Sequence, residues 1–125
     1  RLFGAGITLV RVIEYPNRTE SVYLPDAIEA IEDRLEESRK ATDAELERVA
    51  ARLREQGDAP VDQKTRVVVH AAEGILDVAG ELDADLVTMA SHGRGGVRRL
   101  VLGSVTDKVL RGSRRPVLIV KGEKA

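Results

Sequence analysis

Cysteine and tryptophan are absent from the chain. The first absence removes disulfides, thiolate metal sites and a thiol nucleophile together. Aromatic side chains are scarce, with only Phe3, Tyr15 and Tyr23 present, so stacking on nucleobases is poorly served. Positive charge is not in excess either. Twenty Lys and Arg stand against 21 Asp and Glu, a formal net charge of -1, which leaves nothing to neutralise a phosphate backbone. Nucleic acid is therefore not an expected partner. His70 and His92 are the only histidines, too few for a typical zinc site without several carboxylates around them, and no metal site is expected. No apolar run approaches membrane-spanning length and no signal-peptide pattern is present. The expectation is a cytoplasmic protein without a membrane partner. Asn17-Arg18-Thr19 matches a glycosylation acceptor, but with no secretory signal we read it as chance.

What the chain does have is the composition of a globular domain. Hydrophobic residues make up 42% and charged residues 33%, and 125 residues suffice to bury one core but hardly two. Arg1-Leu2-Phe3-Gly4-Ala5 reads as the last turn of a helix, with Gly4 in the left-handed position after it. Ile7 to Ile13 is a β-branched, mostly apolar run, the pattern of a strand covered on both faces. Tyr15 to Pro25 reads as a loop. Asp26 then begins a long helix, with Asp26 and Glu29 spaced as a capping box and Gly57 as its end. Ile28, Ile31, Leu35, Leu46, Val49 and Leu53 form its apolar stripe, with Ala41 and Thr42 filling the middle.

Thr65 to Val69 is the next expected strand. Ala72 to Leu82 follows as a helix with Ile75, Val78, Ala79 and Leu82 on one face. Asp85 to Ala90 is a third strand, Ser104 to about Arg111 a third helix, and Pro116 to Val120 a last strand. Strand and helix alternate throughout. An open parallel sheet with helices on both faces is the economical architecture.

The informative segment leaves the carboxyl end of the third strand, where ligands of open α/β sheets bind. It runs from Met89-Ala90-Ser91-His92-Gly93-Arg94 to Gly103-Ser104-Val105-Thr106-Asp107. Glycines let backbone N–H groups approach a phosphate without a Cβ in the way. The helix that opens at Gly103-Ser104 turns free amides and a positive dipole end toward the same place. Ser104 suits either a cap or a bond to a phosphate oxygen. His92 suits a phosphate contact or a hydrogen bond that shapes the turn. Arg94 suits phosphate neutralisation, while Arg98 and Arg99 read as surface charge. Glu73 and Asp77 read as first-turn charges, His70 as structural or solvent-facing, and Asp107 as a cap.

Residues 89 to 121 resemble the C-terminal signature of the universal stress protein family. In that signature a glycine is followed by two residues, a second glycine, nine residues, and then Gly-Ser or Gly-Thr. Here the second glycine is Gly93, nine residues follow, and Gly103-Ser104 close the motif. The Arg114-Arg115-Pro116-Val117-Leu118-Ile119-Val120 run, Ala84-Asp85-Leu86-Val87, and Ala72-Glu73 with Ile75-Leu76 also resemble that family. The resemblance covers nearly the whole chain. It implies a Rossmann-like, three-layer sandwich of the adenine nucleotide alpha hydrolase-like class, and an ATP-binding stress-response module, with Mg2+ accompanying the phosphates.

By that resemblance the ribose and phosphates rest on the turn Ala90, Ser91, His92, Gly93 and Arg94 and on the backbone of Gly103, Ser104, Val105 and Thr106. The adenine lies near Val12 and Met89. The resemblance also implies a homodimer through the strand Val117-Leu118-Ile119-Val120, an apolar edge that needs covering. No catalytic triad or carboxylate pair can be assembled, so slow hydrolysis of ATP is the most that is expected. The alternative is a homodimeric interaction module of the same fold that binds no nucleotide.

Two departures from the family pattern stand out. Ala90 occupies the place of the motif's first glycine. Its methyl costs about 1–3 kcal/mol against a packed ligand that cannot relax, and little where it points away. The family also begins with a strand, ending in an aspartate that contacts adenine, and a helix that residues 1–125 lack. In the family's sheet, of order 3-2-1-4-5, that strand is central, and each buried apolar side chain on it is worth about 1.5–3 kcal/mol. The expectation is a single domain over 1–125 that lacks its first strand and most of its first helix, with the natural protein containing both.

Overall fold

The computed structural model describes residues 5–16, 25–91 and 102–121. The expected helix end at Arg1–Gly4 and most of the loop after Tyr15 lie outside those residues. The chain divides into two units, Arg1–His70 and Ala71–Ala125, and each is described by itself.

The first unit is a strand, a helix and a strand: β1 (Ile7–Glu14), α1 (Pro25–Gln56) and β2 (Val61–Val68). β1 and β2 pair in parallel, in register from Ile7 opposite Val61 to Glu14 opposite Val68. The amide of Ile7 donates to the Pro60 carbonyl at 2.8 Å and that of Tyr15 to the Val68 carbonyl at 2.7 Å, carrying the ladder past both ends. β2 thus begins four residues before the expected Thr65. Asp62-Gln63-Lys64 carries no apolar signal, but each residue of β1 needs a partner for its backbone groups, and the register recruits them.

α1 is 32 residues long, about 48 Å, whereas the eight-residue strands it packs on run about 26 Å. Burial is accordingly concentrated in its second half. Leu46 and Ala50 are buried there together with Val61, while Ile28 remains 41% exposed and Val49 36%. The expected stripe is corrected at Ile28, Ala41 and Val49, which are exposed, while Ala50, one turn after Leu46 and outside that stripe, is buried. The helix starts at Pro25, which places Asp26 inside the first turn rather than at the cap. Proline suits the first helical position, where its missing N–H would have had no partner. Asp26 there complements the helix dipole. At the other end Arg54 Nη2 donates to the Val61 carbonyl at 2.8 Å and its Nη1 meets Glu47 at 3.1 Å, fixing the helix end to the start of β2.

The second unit contains α2 (Ala71–Glu81), β3 (Val87–Ala90), α3 (Ser104–Gly112) and β4 (Val117–Val120). β3 and β4 are parallel, with Val87 opposite Val117 and Ala90 opposite Val120. Ala72, Val78 and Ala79 of α2 and Val109 of α3 form its buried core; Leu82, expected on that face, is 37% exposed because the helix has already ended. α2 stops at a left-handed residue, Asp83, with φ 48°. The amide of Ala84 donates to Ala79 and that of Asp83 to Gly80, which satisfies the last carbonyls without a glycine. α2 packs on α3. A Cβ on Gly112 would lie 2.8 Å from Leu76 Cδ1, so the bare backbone there permits the approach. Among the described residues no helix is long and apolar enough to cross a membrane.

Candidate functional site

The sequence puts its glycine-bearing turn at the exit of β3. Ser91 is only 2% exposed. Its amide donates to the Val120 carbonyl at 2.9 Å, extending the β3–β4 ladder by one rung. Its own carbonyl accepts the Gly103 N–H at 3.0 Å. The end of the strand and the start of α3 are thereby joined directly, although eleven residues of chain separate them. Gly103 has φ -60° and ψ 157°, which other residues also adopt, so conformation does not demand glycine here. A Cβ there would sit 3.4 Å from the Ser91 carbonyl oxygen, at the near edge of ordinary van der Waals contact.

Gly103 is the residue that caps α3, and it caps without a side chain. This corrects two expectations. Ser104 is the first helical residue and exposed, so of its two suggested roles the cap is ruled out. Asp107 makes no cap either. Its carboxylate accepts a bond from Arg111 Nε at 3.1 Å, one helical turn on, while its amide makes the first intrahelical bond to Gly103. The amides of Ser104, Val105 and Thr106 are left at the helix start with no intrahelical acceptor, as helix geometry requires. They are hydrogen-bond donors at the positive end of a dipole, the chemistry that receives an anion.

The other expected site residues are distributed as follows. Met89 is half-buried and Ala90 exposed at the end of β3, so the Ala90 methyl is not wedged in packing. Val105 is half-buried, and Thr106 is 5% exposed with its hydroxyl donating to the Ala90 carbonyl at 3.1 Å. Val12 is half-buried in β1, within the other unit. His92, Gly93 and Arg94, with Arg98 and Arg99, lie outside the described residues. At the carboxyl ends of β1 and β2 a cleft of about 410 Å³ is lined by Glu14, Tyr15, Pro16 and the segment 67–70. His70, read as structural or solvent-facing, is exposed and forms part of that wall. Among the described residues no group of three or more His, Asp or Glu is placed to hold a metal ion.

Two structural roles escaped the sequence reading. The Thr106 hydroxyl is one; its signal was a polar residue on the same buried face as Val109. The other is Arg115, whose Nε donates to the Ala84 carbonyl at 2.8 Å and whose Nη2 meets Asp83 at 3.2 Å. Ser113 steadies that arginine by accepting its amide and donating to its carbonyl. The 84–87 and 114–120 segments, singled out separately in the sequence, are thus tied through one side chain.

A parallel α/β chain with a small-residue joint between a strand exit and a helix start belongs to the Rossmann-like folds, and comparison with solved structures narrows the class. The structure of MJ0577, from Methanocaldococcus jannaschii, matches 96% of this chain and 78% of its own with TM-score 0.77 at 24% identity. A universal stress protein solved in complex with cAMP matches 95% of this chain and 99% of its own with TM-score 0.52 at 21% identity. The fold is that of the adenine nucleotide alpha hydrolase-like class. The family model for the universal stress protein family matches residues 1–121, and the chain belongs to that family.

By sequence, universal stress protein MJ0577 is 41% identical over 49 residues, which are 39% of this chain and 30% of that protein. A universal stress protein of Mycolicibacterium smegmatis is 34% identical over 85 residues, 68% of this chain and 65% of its own. The matched segments therefore span between about a third and two thirds of these relatives' lengths.

Proposed function

We propose that this chain is an adenine-nucleotide-binding stress-response module, with ATP as its nucleotide and no fast chemistry of its own. The observation that carries the proposal is the 3.0 Å bond from Gly103 N–H to the Ser91 carbonyl, which brings the strand exit and the start of α3 together. The residues present fit the triphosphate. Ser104, Val105 and Thr106 offer amides, Ser104 adds an exposed hydroxyl, and Gly103 keeps the approach free of a Cβ. His92, Gly93 and Arg94 complete the phosphate side in this reading, and Met89 flanks the base. Bound nucleotide would supply negative charge, and Mg2+ accompanying it would supply a compensating positive charge. The chain's part is to hold it. The cAMP-bound relative supports an adenine nucleotide as the ligand class.

The proposal extends to a cytoplasmic homodimer without a nucleic-acid partner. β4 supports the dimer, because Leu118 and Val120 are 51% and 47% exposed, an apolar surface that a second copy would cover. The alternative, an interaction module that binds no nucleotide, draws on the same surface. Calorimetric titration of the full-length protein with ATP and Mg2+ separates the two. Saturable heat with a stoichiometry near one per protomer is expected, with phosphate released slowly at most. A flat titration at millimolar ATP leaves the interaction module in its place.

A further inference from the structure

The polar groups at the joint between β3 and α3 have different jobs. Two hydrogen bonds cross it: Gly103 N–H to the Ser91 carbonyl at 3.0 Å, and Thr106 Oγ1 to the Ala90 carbonyl at 3.1 Å. Their donors lie three residues apart on the helix side and their acceptors are consecutive on the strand side. A helix held by the first bond alone is free to pivot about it; held by both, its start is fixed in position and orientation.

From this geometry we infer that Thr106 is a positioning residue, whose hydroxyl sets the helix start so that the amides of Ser104 and Val105 converge on phosphate. A hydroxyl carries one proton. That of Thr106 is committed to Ala90, so it has none to donate to a phosphate oxygen. With 5% exposure the residue is also largely enclosed by its neighbours. If packing were its whole purpose, valine would fill the same space beside Val109 without a hydroxyl to satisfy. The first bond belongs to the backbone, so Thr106 is the part of the joint that a side chain supplies. The inference rests on the proposed function, since it concerns how tightly the same site holds phosphate.

The test titrates full-length wild type, Thr106→Val and Thr106→Ser with Mg2+-ATP and, separately, with adenosine, and records melting temperatures beside them. The valine variant is expected to bind ATP about tenfold more weakly, the order of one net hydrogen bond, while its adenosine affinity changes less than about twofold. The serine variant, which keeps the hydroxyl, is expected to recover ATP binding. A valine variant that binds ATP like wild type overturns the inference. So does one that loses ATP and adenosine equally, since that is the mark of a purely structural role. Should the valine variant fail to fold, Thr106→Ser is compared with Thr106→Ala. Both lack the methyl, so tighter ATP binding by serine supports the inference and equal binding defeats it. A wild type that binds neither ligand removes the proposed function, and this inference with it, before any variant is read.

Discussion

The two units use the same plan, a parallel strand pair joined by a helix, and hold it in different ways. In Arg1–His70 the strands are eight residues long and the connecting helix 32; in Ala71–Ala125 the strands are four and the helix nine. The first unit relies on an unbroken ladder and on Leu46, Ala50 and Val61 beneath the second half of α1, with Arg54 tying the helix end to the Val61 carbonyl. It leaves Gln63 Oε1 and Thr65 Oγ1 buried without partners among the described residues. The second unit, with half the ladder, fastens its elements by named side chains: Thr106 to β3, Arg115 to the end of α2, Ser113 to Arg115. Short elements bury little, so single polar bonds carry a larger share of what fixes their positions. The unit that needs its polar ties is also the one that holds the candidate phosphate cradle.

The largest effect expected from testing that contrast comes from Val109→Asp. Val109 has no exposed surface, and an unpaired carboxylate there should cost about 4 kcal/mol or more. Loss of amide-exchange protection across β3 and β4 at neutral pH is the readout; protection at the wild-type level contradicts the assignment of Val109 to the core.

A sharper comparison replaces threonine by valine in each unit. Thr106→Val strands the Ala90 carbonyl and should lose about 1–2 kcal/mol, whereas Thr65→Val removes an unpartnered buried oxygen and should be neutral or gain up to about 1 kcal/mol. Urea unfolding of the two variants gives the sign of each change. If both lose stability equally, the contrast between the units does not hold.

The smallest effects separate the arginines. Arg115, with 29% of its side chain exposed, binds a main-chain carbonyl, and its change to alanine should cost about 1–2 kcal/mol. Arg54 binds one too, but at 46% exposure solvent competes and about 1 kcal/mol is expected. Arg111 is 80% exposed and meets only Asp107, so about 0.3–0.5 kcal/mol should be lost. A midpoint for Arg111→Ala lower than that for Arg115→Ala would reverse the ranking and with it the argument from exposure.

Much of the fold was legible because its signals are local. Hydrophobic periodicity located the three helices and four strands of the described residues, and the spacing from Gly93 to Gly103-Ser104 pointed to the candidate site. The errors have two physical causes. β2 starts early because β1, distant in the sequence, pairs with Asp62-Gln63-Lys64, which nothing in those three residues announces. Asp107 and Ser104 carry side chains suited to a cap, but Arg111, one turn on, takes the Asp107 carboxylate, and Gly103, next to Ser104, takes the cap position; there a choice between near neighbours decides.

The sequence by itself determined the alternation of strand and helix, the apolar character of β1, β3 and β4, and the small residues at both sides of the joint, since these follow from side-chain periodicity and size. Only the tertiary structure decided that Gly103 meets Ser91, that the Thr106 hydroxyl is spent on Ala90, and that Arg115 reaches back to Ala84. Those bonds join residues twelve to thirty-one positions apart, and at such separations it is packing that selects a polar group's partner.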